Sequence, residues 1–216
     1  EIISMGVDSV MPHNHTAPYI SAKELKAAYE SDEPPVILDT RNDYEVALGT
    51  FDGAQDPNTQ TFRQWPKFVE ENLKKQDKRK VAMFCTGGIR CEKASSHLLE
   101  NGYDEVYHLK GGILNYLEKV DPAQSKWKGE CFLFDHRVSV KHGLKDGEAK
   151  LCFGCRWPLH KDDLRSPQYE EGVSCPRCSS SLNEEKRASL RERHKQVRLA
   201  EKRKSSHIGQ KMPDLV

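Results

Sequence analysis

The chain has 216 residues, of which 36% are hydrophobic and 31% charged, with a formal net charge of +1. That length supports one ordinary domain and a smaller companion, and no apolar run approaches the ~20 residues that a membrane-spanning helix needs. Charge is unevenly placed: ten Lys/Arg oppose five Asp/Glu from Glu184 to Val216 (net +5), leaving 24 against 28 in residues 1–183 (net −4). With no signal-peptide pattern at the start, the seven cysteines point to catalytic or metal-binding thiols in a cytoplasmic protein, not to a disulfide framework.

The opening "EIISMGVDSV" begins with Glu1 and reads like a strand entered midway, so residues 1–17 are expected to be a linker following a missing N-terminal domain. His13 and His15 lie in this proline-containing stretch and take no assigned role. Ser21 and Glu24 form a capping-box pattern that starts a helix carrying Leu25, Ala28 and Tyr29. "VILD", Val36 to Asp39, reads as a short buried strand behind two prolines. Phe62, Trp65, Val69 and Leu73 recur every three or four residues and predict a second helix. "KVAMF" is a second buried strand ending at Cys85, followed by a helix from Cys91 to Asn101 that Gly102 stops. "EVYHLKGGILNYLEKV" is a third strand and helix. Short apolar strands alternating with helices predict a parallel sheet covered on both faces. Ligands then bind beyond the strand carboxyl ends, where Asp39 and Cys85 should face one crevice.

The stretch "CTGGIRC" carries the most chemistry. A thiol between a strand and a helix N-terminus meets unpaired N–H groups and the positive end of the helix dipole. Gly87 and Gly88 let the backbone wrap into an anion nest, and Arg90 adds a fixed positive charge. Together these should hold Cys85 as a nucleophilic thiolate. The same cradle would stabilise a persulfide or an oxygenated sulfur. Cys91 is placed to resolve such a species or simply to pack. Lys93 could reach an anionic substrate, Asp39 could orient the loop or Arg41, and His108 should be a packed core histidine.

Beyond residue 122, "WKGECFLFDHRVSV" alternates like an edge strand or hairpin, with Cys131 packed inside it. Cys152-x2-Cys155 and Cys175-x2-Cys178, 19 residues apart, match a four-thiolate metal site that favours a structural Zn²⁺. Such a site would fold a segment poor in apolar residues. The charged stretch 183–216 is a basic tail, either helical or disordered, and suits RNA phosphate contact or plain solvation.

Cys85-Thr86-Gly87-Gly88-Ile89-Arg90 resembles the active-site loop of rhodanese domains, and "VILDTRNDYE", with Asp39, Arg41 and Glu45, resembles their first strand and Asp-x-Arg motif. "VYHLKGGI" resembles their last strand and turn. The related phosphatases use a loop one residue longer, so the loop here favours sulfur over phosphoryl chemistry. The block "CTGGIRCEKAS", with "GTFDGA", "NTQTFRQWP" and "WKGECFLFDHRV", resembles the bacterial tRNA uridine hydroxylases. That resemblance implies oxygen-dependent hydroxylation of the wobble uridine of tRNA to 5-hydroxyuridine, with Cys85 essential and Arg90 beside it. Thr86, Gly87, Gly88, Ile89, Asp39 and Arg41 would be supporting residues. The alternative is a sulfurtransferase carrying a persulfide on Cys85. The expected organisation is a rhodanese-like α/β domain at 18–122, a cysteine-rich region at 123–182 and the tail at 183–216. The partners would be the tRNA anticodon loop and molecular oxygen. No flavin, nicotinamide or iron-binding pattern identifies a catalytic cofactor, and oligomeric state stays open.

Overall fold

The structure is a computed structural model that describes residues 3–7, 10–13, 15–73 and 80–204. The chain forms two compact units, Glu1–Glu148 and Ala149–Val216.

The first unit is built on four parallel strands: β1 (Tyr19–Ile20), β2 (Val36–Asp39), β4 (Val81–Phe84) and β5 (Val106–Leu109), in the order β1-β5-β4-β2. Successive side chains of β4 alternate between two cores, as the period of a strand requires. Val81, Met83 and Cys85 join a cluster with Trp65, Val69, Cys91, Ala94 and Leu98, which lie on α3 (Trp65–Phe68), the turn after it and α4 (Ile89–Glu100). Ala82 and Phe84 join a second cluster with Leu25 of α1 (Ala22–Tyr29) and Ile113, Tyr116 and Leu117 of α5 (Gly112–Lys119). Both faces are covered, which is why β2 and β4 read as unbroken apolar runs in the sequence.

Local signals are realised where they were strongest. Ser21 Oγ accepts the Glu24 N–H at 3.2 Å, and Glu24 Oε2 accepts the Ser21 N–H at 2.8 Å, completing the capping box. Gly102, at φ +83°, ends α4 with N–H bonds from Gly102 to Leu99 O and from Tyr103 to Leu98 O. The expected single helix over Phe62–Leu73 is instead a 3₁₀ turn, the four-residue α3 and a π turn over Val69–Leu73. Its four apolar side chains are nevertheless all buried against one core. Core contact, not helical regularity, sets their spacing.

The first unit extends beyond the expected limits at both ends. Met5, Val10 and Ala17, in the stretch expected to be a linker, are buried in the core. At the other end, β6 (Trp127–Gly129) pairs antiparallel with β3 (Gly49–Phe51). Next, β7 (Cys131–Phe132) pairs with β8 (Ser139–Val140), and Trp127, Cys131, Leu133 and Val140 enter the α1/α5 core. These side chains bury apolar surface on the sheet domain, so the structural division falls after Glu148 and not at 122. Cys131 is fully buried, and burial pushes its thiol up to about 12.

In the second unit, β9 (Lys150–Leu151) and β10 (Pro158–Leu159) form a hairpin carrying the first cysteine pair. The 19-residue α6 (Glu184–Lys202) begins at Asn183, whose Oδ1 accepts the Lys186 N–H at 2.8 Å. The tail is thus helical to Lys202, and residues 205–216 lie outside the described residues. No described helix is long and apolar enough to cross a membrane.

Candidate active site

The cysteine loop connects β4 to α4. Cys85 closes the strand and is 2% exposed, with its Sγ accepting the Gly88 N–H at 3.0 Å. Gly88, at φ +98°, is the N-cap of α4, a left-handed conformation that costs a residue with a Cβ about 1 kcal/mol or more. Gly87 has a free Cβ direction, so of the two glycines only Gly88 is demanded by backbone geometry.

The loop is also held from behind. The N–H groups of Ile113 and Leu114, in the first turn of α5, donate to Cys85 O (3.0 Å) and Thr86 O (3.1 Å). On the other side of the loop, the N–H groups of Gly88, Arg90 and Cys91 turn toward the sulfur, the arrangement of an anion nest. The approach is close enough that a Cβ on Gly112 would lie 2.5 Å from Cys85 O. Gly112 belongs to the site for this reason, and the "KGGI" turn was its only sequence signal.

Arg90 reaches Glu45 through two bonds, Nη1–Oε2 at 2.5 Å and Nη2–Oε1 at 2.7 Å, with both side chains buried. Thr86 Oγ1 donates to Glu45 Oε1 at 3.3 Å and accepts from Arg90 Nη2 at the same distance. Glu45 therefore ties the loop to α2 (Asp43–Val46). A buried fork of this kind fixes geometry more than it adds net stability. Spacing did not reveal this role, because the pair bridges 45 positions.

The electrostatics favour a thiolate at Cys85. Burial alone pushes the thiol up. Opposing it are a hydrogen bond from the Cys91 thiol, the Arg90 charge and the N–H groups of Cys91 and Arg90, which bring Cys85 down from 9.0 to about 6. Cys91, fully buried, is pushed well up by that burial and by the neighbouring Cys85 charge, and so keeps its proton. Its Sγ lies 3.4 Å from Thr40 Oγ1, whose hydroxyl donates to Phe84 O at 3.0 Å. The surroundings thus favour the charged form at Cys85 and the protonated form at the adjacent Cys91.

Asp39 and Arg41 adjoin this cradle at Glu45, whose O accepts from Arg41 Nη1 at 3.3 Å. Their side chains form a buried fork, Nε–Oδ1 2.9 Å and Nη2–Oδ2 2.7 Å, with Thr50 Oγ1 donating to Asp39 Oδ2 at 2.8 Å. Arg41 also donates to Gly49 O and stacks over Trp127 at 5.1 Å. The expected shared crevice of Asp39 and Cys85 is therefore replaced by a structural pair fastening β2 to β3. Ile89 stands 47% exposed at the mouth of the loop. Lys93 donates to Ile3 O at 2.7 Å. His108 is fully buried and contacts Ala17 O at 3.0 Å through Nε2, as a core histidine should.

In the second unit, the sulfurs of Cys152, Cys155, Cys175 and Cys178 all lie within 4.8 Å of one another. Separations of 3.8 Å (Cys152–Cys178), 3.7 Å (Cys155–Cys175) and 3.8 Å (Cys175–Cys178) match the edge of a tetrahedron. A metal–sulfur bond of about 2.3 Å implies an edge of about 3.8 Å. The four thiols can hold a metal ion.

Residues 21–119 match the rhodanese-like domain. The solved rhodanese-like domain of an Anabaena protein aligns over 52% of this chain and 79% of its own, at 24% identity and a TM-score of 0.42. A tRNA uridine(34) hydroxylase of Rhizobium etli is 52% identical over 209 residues, covering 97% of this chain and 67% of the relative. The enzyme of that name from Teredinibacter turnerae is 51% identical over the same length, covering 65% of the relative. Identity at this level reaches across both units and well past the rhodanese-like segment, and the chain belongs to the tRNA uridine(34) hydroxylase family.

Proposed function

We propose that the protein hydroxylates uridine 34 of tRNA and that Cys85 is its nucleophile. The supporting observation is the buried cradle in which Gly88, Cys91 and Arg90 favour the Cys85 thiolate, in a chain 52% identical to enzymes of that name. Cys85 Sγ adds to C6 of the uracil, and the electron pair of the C5–C6 double bond moves to C5, which attacks oxygen. Loss of the C5 proton and departure of the thiolate restore the double bond. Molecular oxygen is the oxidant, and a thiol reductant supplies two electrons. With two protons, one oxygen atom enters C5 and the other leaves as water. Cys85 is 2% exposed, which limits the bulk water that can compete at the residue.

Arg90, held by Glu45 and Thr86, positions the loop together with Gly87, Gly88 and Ile89, while Asp39 and Arg41 brace the strand beneath it. Cys91 holds its proton against the thiolate and is placed to resolve an oxidised Cys85. Single-stranded anticodon loops present bases that can be splayed into such a site. A tRNA substrate implies a cytoplasmic setting. Zn²⁺ is the metal that four thiolates at tetrahedral spacing fit best; Cys152, Cys155, Cys175 and Cys178 would hold it as a structural centre.

The test is mass spectrometry of nucleosides from tRNA of cells lacking the full-length protein, rescued with wild type or Cys85→Ser. Wild type should restore the extra oxygen on uridine 34, and Cys85→Ser should not. Full rescue by Cys85→Ser refutes the nucleophile. An unchanged oxygenated uridine with a lost thiolated nucleoside would establish sulfur transfer instead.

A further inference from the structure

Beside the cysteine loop lies a cavity of about 670 Å³, bordered by Gly87 and Gly88, the first turn of α1 and the start of α5. Gly88 is the residue whose N–H reaches Cys85 Sγ at 3.0 Å, so the cavity and the reacting sulfur share one wall. Lys23 of α1, Lys110 of the turn after β5 and Lys119 at the end of α5 line it, and among the described residues none forms an ion pair with a carboxylate. Tyr19 forms one wall; its ring stacks on His108 at 4.3 Å, yet the residue is 53% exposed. The one lining carboxylate, Glu92, meets the Tyr19 hydroxyl at 3.4 Å.

Three uncompensated cations around an exposed aromatic ring are poorly suited to an apolar ligand. They match an unpaired nucleotide, whose phosphodiester takes the cations and whose base takes the ring. We propose that this cavity binds the nucleotide next to the reacting uridine, with its base on Tyr19 and its phosphodiester among Lys23, Lys110 and Lys119. The proposal rests on the tRNA reading above. It assigns substrate positioning to residues that the cysteine loop does not contain, because holding the neighbouring nucleotide fixes where the reacting base enters.

The experiment measures binding of a fluorescent anticodon stem-loop RNA to the 216-residue chain by anisotropy over a series of salt concentrations. The triple variant Lys23→Gln/Lys110→Gln/Lys119→Gln should bind at least tenfold more weakly. It should also flatten the plot of log affinity against log salt by about 0.7, the contribution of the one single-strand phosphate contact that is lost. Tyr19→Ala should lose about tenfold in affinity with the salt slope kept, while Tyr19→Phe should bind like wild type. Lys145→Gln, outside the cavity, is the control for charge alone, and unchanged urea midpoints exclude misfolding. Wild-type affinity and slope in the triple variant would overturn the proposal and leave the hydroxylase reading standing. If the wild-type chain binds the stem-loop no better than an RNA duplex of equal length, the tRNA reading fails and this inference fails with it.

Discussion

The ionisation of Cys85 should depend on the Cys91 thiol in a way that titration can measure. With Cys85 lowered to about 6, roughly nine-tenths is thiolate at pH 7, against about one-hundredth for a thiol at its ordinary 9.0. Cys91→Ala removes a hydrogen bond to a charged sulfur, an interaction of about 1.5–3 kcal/mol. At ~1.4 kcal/mol per pH unit, the Cys85 midpoint should rise by about one to two units. At pH 7 the thiolate fraction would then fall to between about one-half and one-tenth. Cys91→Ser keeps a donor and should hold the midpoint nearer its original place. The assay is thiolate absorbance at 240 nm between pH 4.5 and 9.5, taken in each background as the difference from the same protein carrying Cys85→Ser. Activity should follow the sign of the shift, falling on the acid side as the thiolate is protonated and losing more at pH 7 in Cys91→Ala. A Cys85 midpoint near 9 in the wild type, or a midpoint that falls in Cys91→Ala, would refute this account of the cradle.

Glu45→Gln removes the charge that offsets a buried Arg90, and breaking such a pair costs on the order of 3 kcal/mol. With a urea dependence of about 2 kcal/mol/M, the unfolding midpoint of the first unit should drop by about 1.5 M, and a change under about 0.3 M would show that the fork does not hold the loop. Chelation of a thiolate-bound metal should selectively unfold the second unit, whose small apolar core is built around the four cysteines. Metal analysis should find one zinc per chain, and circular dichroism after chelation should lose signal that Zn²⁺ restores. Freshly purified, folded protein containing no metal would exclude the structural role.

Much of the local structure was legible in the chain itself. The capping box at Ser21, the apolar strands at Val36 and Val81 and the glycine stop after α4 act over a few residues, and each has a direct chemical cause in backbone hydrogen bonding or in φ. The placement of Cys85 was legible for the same reason, since a strand, a glycine turn and a helix N-terminus follow one another in sequence. The spacing of the cysteine pairs pointed to a cluster able to hold a metal ion, and the four sulfurs lie within 4.8 Å of one another.

Only tertiary structure decided which charges meet. Arg90 could be read as the loop's fixed positive charge, but not its partner: Glu45, far away in sequence, takes both ends of its guanidinium. Asp39 looked like a neighbour of the thiol, yet Arg41 and Thr50 hold it beneath the sheet end. The limits of the first unit were equally non-local, because Met5 and Trp127 gain their burial from surfaces built by distant strands and helices. The cavity lysines come from α1, the turn after β5 and the far end of α5, so no periodicity along the chain could have gathered them. Hydrogen bonding within a turn is encoded by adjacent residues, whereas pairing of buried charges and burial of apolar side chains depend on which distant surfaces the fold brings together.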